Sequence, residues 1–252
     1  MAENGPWVGA PPRAALFVGR QDEVADLVVR LQVAGDTVAV CGYTQSDEIT
    51  LAWYSKDPKS QIYFDGRIQK MCSTLAASCS VRFNRLLPEY LPEKADEEPT
   101  FDCRIWQLPT REEAANVFLW REFDATKNSI TMAAQSFYSH KELMGKNGSE
   151  KQEMLFQKNV NWNNYPAFFK RGSYVQRRIV RTRPTLEELA LLPEKHHARL
   201  NPDLEIERSE YVRLEMPTFR QVTNRVQVLF DGAAPECDAA IPATTPGDLE
   251  AP

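Results

Sequence analysis

The stretch GYTQSDEITLAWY, residues 42–54, limits the possible folds more than any other part of the chain. It follows TVAVCG, so two runs rich in β-branched and aromatic residues flank a short polar segment, TQSD. Runs of that composition favour strands, and turn-forming polar residues between them favour a reversal. In EITLAWY, Ile49, Leu51 and Trp53 alternate with Thr50, Ala52 and Tyr54, the two-residue period of a strand with one buried face. The spacing predicts a β-hairpin with Asp47 and Glu48 at its bend. Adjacent carboxylates in a turn are usually only solvated. They also suit magnesium, which takes hard oxygen ligands and is often held by one or two carboxylates plus substrate phosphates.

Further along, helical and strand periods alternate. Ile68, Met71, Cys72, Leu75, Ala76, Cys79 and Phe83 recur at helical spacing and predict a helix over about 65–85, with Arg67, Lys70, Arg82 and Arg85 on its polar face. LLPEYLPEKADEEP is a proline-rich acidic connection, and FDCRIWQL, residues 101–108, alternates like a strand. Thr110 and Glu113 form a Thr-x-x-Glu start for a helix REEAANVFLWRE, and a second helical stretch, ATKNSITMAAQSFYSHKEL, follows it. EKQEMLF has a helical pattern, NVNWNNYPAF is irregular, and YVRLEM and RVQVLF are expected as strands. Upstream, DEVADLVVRLQ is expected as a helix. The order strand, strand, helix, strand, helix, helix predicts an α+β fold, a sheet covered by helices on one face.

Composition excludes several classes. The 252 residues are 42% hydrophobic and 26% charged, ordinary for a globular chain. No apolar run is long enough to span a bilayer, so no membrane partner is expected. The start, MAENGPWVGAPPRAALF, has acid and proline where a signal peptide needs a basic end and an apolar core, which points to a cytoplasmic location. The five cysteines include no C-x-x-C pair and are expected to be reduced small hydrophobes, and His140, His196 and His197 have no recognisable ligand spacing. A net charge of −5 does not advertise nucleic-acid binding, yet residues 170–183 hold Lys170, Arg171, Arg177, Arg178, Arg181 and Arg183 with no acid among them. Arginine forks bind phosphate oxygens bidentately, and Tyr174 within the run could stack on a base. The run is read as an RNA contact, with pairing to acids such as Glu187, Glu188 and Glu207 as the alternative.

Six motifs stand in order: GYTQSDEITLAWY, FDGRIQKMCSTLAA, FDCRIWQLP, FLWREFDATKNSI, KQEMLFQKNVNWNNYP and FKRG. Together they resemble the tRNA-His guanylyltransferase family, most of all its bacterial and phage-type members, over residues 37 to 180. The resemblance implies a palm-like, ferredoxin-like antiparallel sheet related to polymerases, with a C-terminal extension. It implies an enzyme that adds nucleotides to the 5′ end of tRNA in the 3′–5′ direction, with two magnesium ions and with ATP and GTP as substrates. The partners it implies are tRNA, nucleoside triphosphates and further copies of the chain in a tetramer. Asp47 resembles a metal-binding aspartate, and Glu48 and Ser46 match its acidic and hydroxyl neighbours. Arg67 and Lys70 match a basic pair expected to hold a triphosphate, Asn128 matches a polar position in the motif beginning at Asp124, and Lys151 and Asn161 match positions near the reacting nucleotide. On this reading Lys170, Arg171, Arg177, Arg178 and Arg181 touch the tRNA.

The pattern also breaks. The family carries another metal-binding aspartate in an I-D-G-R strand upstream of S-D-E, and residues 1–36 hold no such motif. The FDGR at 64–67 lies downstream, which makes Asp65 a decoy. Three accounts compete: a natural protein that begins further upstream, an inactive relative that still binds RNA or nucleotide, or replacement by Asp22, Asp26 or Asp102. Thr126 stands where the family has a histidine, which leans towards general 5′-end repair. The expected organisation is a divergent segment at 1–36, a catalytic domain at 37–183, an extension at 184–232 and a disordered tail at 233–252.

Overall fold

A computed structural model describes residues 39–55, 57, 62–201 and 203–238. The helix expected in DEVADLVVRLQ, together with Asp22 and Asp26, lies outside these residues, as do positions 239–252 of the expected tail. Among the described residues, strands β1 (Cys41–Gln45) and β2 (Glu48–Ala52) precede the long helix α1 (Ile68–Tyr90). Helices α2 (Arg111–Gln135), α3 (His140–Leu143), α4 (Gly148–Gln157) and α5 (Ala167–Arg171) then lead to β3 (Ser173–Thr182). The short helices α6 (Leu186–Leu191) and α7 (His197–Leu200) precede β4 (Ile206–Leu214), and α8 (Arg225–Phe230) follows it. The fold is α+β, with one antiparallel sheet ordered β2-β1-β3-β4.

The hairpin forms where the alternation placed it, with Gln45 paired to Glu48 across a two-residue turn of Ser46 and Asp47. Three other expectations change. FDCRIWQL is no strand: its alternation persists in burial, but Phe101 N–H donates to Ser80 Oγ and Pro99 O accepts from Asn84, so the segment lies along α1 rather than in a ladder. RVQVLF is the helix α8, because Gln176 Nε2 donates to Val228 O and Ala233 O, and Val228, Leu229 and Phe230 are all buried. The two helices expected over 111–143 are one continuous helix to Gln135, with the short α3 after it, since no Pro or Gly interrupts the first stretch. Thr110 Oγ1 caps its start by accepting from the Glu113 N–H at 3.1 Å. The segment assigned to an extension supplies β4, which pairs with β3 from Tyr174↔Leu214 to Thr182↔Ile206. Residues 233–238 are held too, through a Val222↔Cys237 bridge.

Two apolar clusters share α2. Its N-terminal half places Ala115, Phe118 and Ala125 against Cys41, Tyr43, Tyr174 and Leu214 of the sheet and Phe219, Val222, Val228 and Leu229 after it. Its C-terminal half packs Ile130, Ala133 and Ala134 on Leu143, Leu155, Trp162 and Phe169. Tyr43 Oη donates to Arg171 O at 2.9 Å, and the next residue must be glycine. Gly172 has a φ of +76°, and a Cβ there would meet Thr44 O at 2.5 Å.

Inside the first cluster sits a carboxyl group. Glu122 is 1% exposed, accepts from the Phe219 N–H at 2.7 Å and accepts from Tyr174 Oη–H at 3.1 Å. Burial pushes it up from 4.5 to about 7, against the opposing pull of the Phe219 amide, Arg171, the Tyr174 hydroxyl and Arg225. A carboxyl raised in this way binds its proton more tightly folded than unfolded. Its contribution to stability is therefore full below 4.5 and is lost as pH rises towards about 7. The loss is on the order of 3 kcal/mol across that window. Glu122→Gln keeps an acceptor for the amide without ionising, so its urea-unfolding free energy should lack this component of the pH dependence between 4.5 and 8. Glu122→Leu should cost about 1–3 kcal/mol by orphaning the Phe219 N–H.

Candidate functional site

The turn of the hairpin projects two acids. Ser46 takes a left-handed φ of 52°, and Thr44 Oγ1 donates to Glu48 O at 3.1 Å, which tightens the reversal. Asp47 is exposed at the tip. Glu48 opens β2 and forms an ion pair with Arg121 of α2, whose own side chain is only 16% exposed. Arg121 lies 3.9 Å from Asp124, and Asp124 Oδ2 accepts from Asn128 Nδ2 at 3.3 Å. Three residues on, Thr131 Oγ1 accepts from Lys151 Nζ of α4 at 3.0 Å. Positions 121, 124, 128 and 131 fall on one side of a helix. They form a polar line from the acidic turn to the α4 lysine. Trp120 stands beside it, 60% exposed, with the Arg121 guanidinium 5.1 Å from its ring.

The structure thus brings together four of the residues singled out in the sequence: Asp47 and Glu48 at one end, Asn128 in the middle and Lys151 at the other. Ser46 belongs to the same turn. The others lie differently. Arg67 and Lys70 are exposed at the start of α1, where Arg67 meets Asp65 at 3.3 Å and Lys70 lies 4.6 Å over the Phe64 ring. Asp65 sits in a tight left-handed turn with Phe64, φ 54° and 49°, and serves Arg67. Asp102 pairs with Arg104 at 2.9 Å. Asn161 caps the turn Trp162–Asn164 by accepting from the Asn163 N–H at 2.9 Å. Among the described residues no group of three or more His, Cys, Asp or Glu side chains is placed to hold a metal ion.

The basic run is divided by the fold. Lys170 and Arg171 end α5, and Lys170 donates to Asn163 O at 2.7 Å and lies 5.4 Å over the Trp162 ring. Burial, then the neighbouring Arg171, lowers the pKa of Lys170. On β3 the pleat sends Arg177 and Arg181 to one face and Arg178 to the other. Arg178 Nε donates to Gln176 Oε1 at 2.6 Å, Arg181 meets Glu207 across the strands at 2.9 Å, and Arg183 meets Asp203 at 3.0 Å. Glu188 pairs with Arg208 instead, which with the Thr185 amide holds its carboxyl down at about 2. Arg121 and Thr131 were missed in the sequence, and Asp124 was noted there only as the start of the motif around Asn128. Their i, i+3, i+10 spacing within one helix was the available signal, and splitting that helix hid it.

Residues 25–109 match the model of the family described as Thg1: tRNAHis guanylyltransferase. An uncharacterized protein of Acanthamoeba polyphaga mimivirus is 30% identical over 165 residues, 56% of this chain and 56% of that one. A probable tRNA(His) guanylyltransferase of Dictyostelium discoideum is 28% identical over 153 residues, 56% of this chain and 58% of that one. Among solved structures, a bacterial tRNA(His) guanylyltransferase (Thg1)-like protein in complex with ATP superposes with a TM-score of 0.62 at 26% identity, covering 88% of this chain and 87% of that one. A bacterial Thg1-like protein in complex with GTP gives a TM-score of 0.54 at 27% identity, covering 84% of this chain and 76% of that one. The chain is thus similar in sequence and fold to members of the tRNAHis guanylyltransferase family. It spans 56–63% of the length of the mimivirus, Dictyostelium discoideum and Saccharomyces cerevisiae relatives.

The Glu48–Arg121 pair joins the acidic turn to α2. Glu48 is 53% exposed, so water screens the pair. A double-mutant cycle of Glu48→Gln and Arg121→Met, measured by urea unfolding, should return a coupling below about 1 kcal/mol. A coupling of about 3 kcal/mol would mean the pair behaves as a buried one.

Proposed function

We propose that this chain is a tRNA 5′-end nucleotidyltransferase that adds guanylate in the 3′–5′ direction. The observation that carries the reading is the polar line along α2. It joins paired carboxylates at a hairpin turn to a lysine, in a fold shared with Thg1-like proteins solved with ATP and GTP.

Each residue then takes a role. The donor chemistry at the turn suits magnesium: two hard carboxylates near solvent leave most of the coordination shell to water and phosphate oxygens. Asp47 and Glu48 would hold it, with Arg121 keeping Glu48 in place. When bound, the metal would stabilise the charge on the reacting phosphoryl oxygens. Lys151, oriented by Thr131, offers a compact positive charge to a triphosphate, and Asn128 and Ser46 offer it hydrogen bonds. Arg67 and Lys70 extend from exposed positions at the start of α1 and would reach the same triphosphate. Lys170, Arg171 and Arg177 are the run's candidates for tRNA phosphates, since Arg181 already has a carboxylate. In the reaction, the tRNA 5′ phosphate displaces pyrophosphate from a nucleoside triphosphate, and the 3′-hydroxyl of GTP, losing its proton, then attacks the activated phosphorus and releases the nucleoside monophosphate.

The test is nucleotide addition to a 5′-monophosphorylated tRNA one nucleotide short, with ATP, labelled GTP and magnesium. Asp47→Ala should lower incorporation about 100-fold or more. Because Asp47 is exposed in a turn, its unfolding free energy should stay within about 0.5 kcal/mol of the parent. A folded protein that binds the tRNA but adds nothing would point instead to a non-catalytic RNA-binding relative.

A further inference from the structure

Away from the polar line, three cysteines converge. Cys72 and Cys79 lie seven residues apart on α1, two turns along one face. The segment after the acidic connection runs back along that face. Asn84 Nδ2 donates to Pro99 O at 2.7 Å, the Phe101 N–H donates to Ser80 Oγ at 2.8 Å, and the Phe101 ring meets the Phe83 ring edge-on at 5.4 Å. Pro99 lies at Asn84 and Phe101 at Ser80, so two residues of the segment cover four of the helix. Two more bring Cys103 level with Ala76, between the two helical cysteines. Burial raises the pKa of Cys103 most; the Cys72 thiol lies near enough to raise it further, as Cys79 does more weakly. All three are free and half-buried, within reach of small reagents.

We propose that Cys72 and Cys103 form a reversible dithiol–disulfide pair, a modification site for small disulfides of the glutathione class. Geometry excludes a bond between the two helical cysteines. Cys72 and Cys79 cannot bridge within an intact helix, because seven residues rise about 10 Å and a disulfide spans Cα atoms at most about 7 Å apart. In the first exchange the Cys72 thiol loses its proton to water and attacks one sulfur of the small disulfide. That sulfur–sulfur bond breaks, and one small thiol leaves. Cys103 then loses its proton and attacks the Cys72 sulfur of the mixed disulfide, releasing the second small thiol. Two protein thiols are oxidised and one small disulfide is reduced to two thiols. Burial pushes the Cys103 thiol up to about 11, so only a small fraction is thiolate at neutral pH and its attack is slow. The bond would tie α1, two residues after Lys70, to the segment that leads into the Thr110 cap. The inference does not depend on the proposed catalytic activity.

The experiment is to incubate the full chain with mixtures of oxidised and reduced glutathione, block free thiols by alkylation, digest with trypsin and map the linked peptides by mass spectrometry. The expected product joins peptide 71–82 to peptide 95–104, with fragmentation placing the bond at Cys72 and Cys103. Dithiothreitol should remove it. Cys72→Ser and Cys103→Ser should abolish it, and Cys79→Ser should leave it intact. Only glutathione adducts, a Cys79–Cys103 link, a bond between two chains, or no reaction at any ratio would overturn the proposal. The decisive mapping uses the unmodified protein, so a variant that fails to fold does not obscure the result.

Discussion

The bonds of Glu122 set the frame on which the site depends. A buried carboxyl must find partners, and this one takes a hydroxyl from β3 and an amide from the turn after β4. Those bonds fix α2 in rotation about its own axis as well as in position. Adjacent residues of a helix point about 100° apart. With Glu122 held inwards, Arg121 faces the hairpin turn, and Asp124, Asn128 and Thr131 follow on the same side. The inward bond of one residue therefore sets the outward geometry of the residues around it. A shift of α2 by one residue would bury Arg121 and remove Glu48's partner.

The same helix links two packing units. Its first half closes the sheet, and its second half organises the small helices that present Lys151 and Lys170. Ser129 stands between the two, accepting from Trp162 Nε1 at 3.2 Å and donating to Lys170 O at 3.3 Å. A long continuous helix is a stiff way to hold the two ends of a site at fixed separation. This is why the break expected near residue 123 mattered: two separate helices would not have held Glu48's partner and Lys151's partner in register.

Much of the fold was legible because local periods and turn chemistry agreed with the tertiary arrangement. The hairpin, α1, the Thr110 cap and the YVRLEM part of β4 all follow from alternation, helical spacing or a capping residue. Where they failed, a neighbour outweighed the local pattern. The alternation of FDCRIWQL is real, but its backbone met side chains of α1 before it met a strand. RVQVLF alternates too, yet Gln176 binds carbonyl groups that the helical form presents. Of the site, the acids and Lys151 were visible through family resemblance. Arg121 and Thr131 were not, because nothing in a single sequence tells a helical arginine that pairs across space from one on a solvated face.

The basic run shows how charge along the chain differs from charge in space. Fourteen residues without an acid look like a patch when read in one dimension, but a strand turns alternate side chains to opposite faces, and its neighbour supplies the missing acids. Arg181 faces Glu207, and Arg183 meets Asp203. A phosphate approaching either guanidinium must displace a carboxylate already in place, so the exchange gains less than binding a free cation. Under the proposed function, RNA affinity through this surface should accordingly fall with salt by a slope set by Lys170, Arg171 and Arg177 rather than by the full run. That is a loss closer to three counterions than to six. A slope near six would mean that the β3–β4 ion pairs open when RNA binds, and that the ribbon is a switchable surface rather than a fixed one.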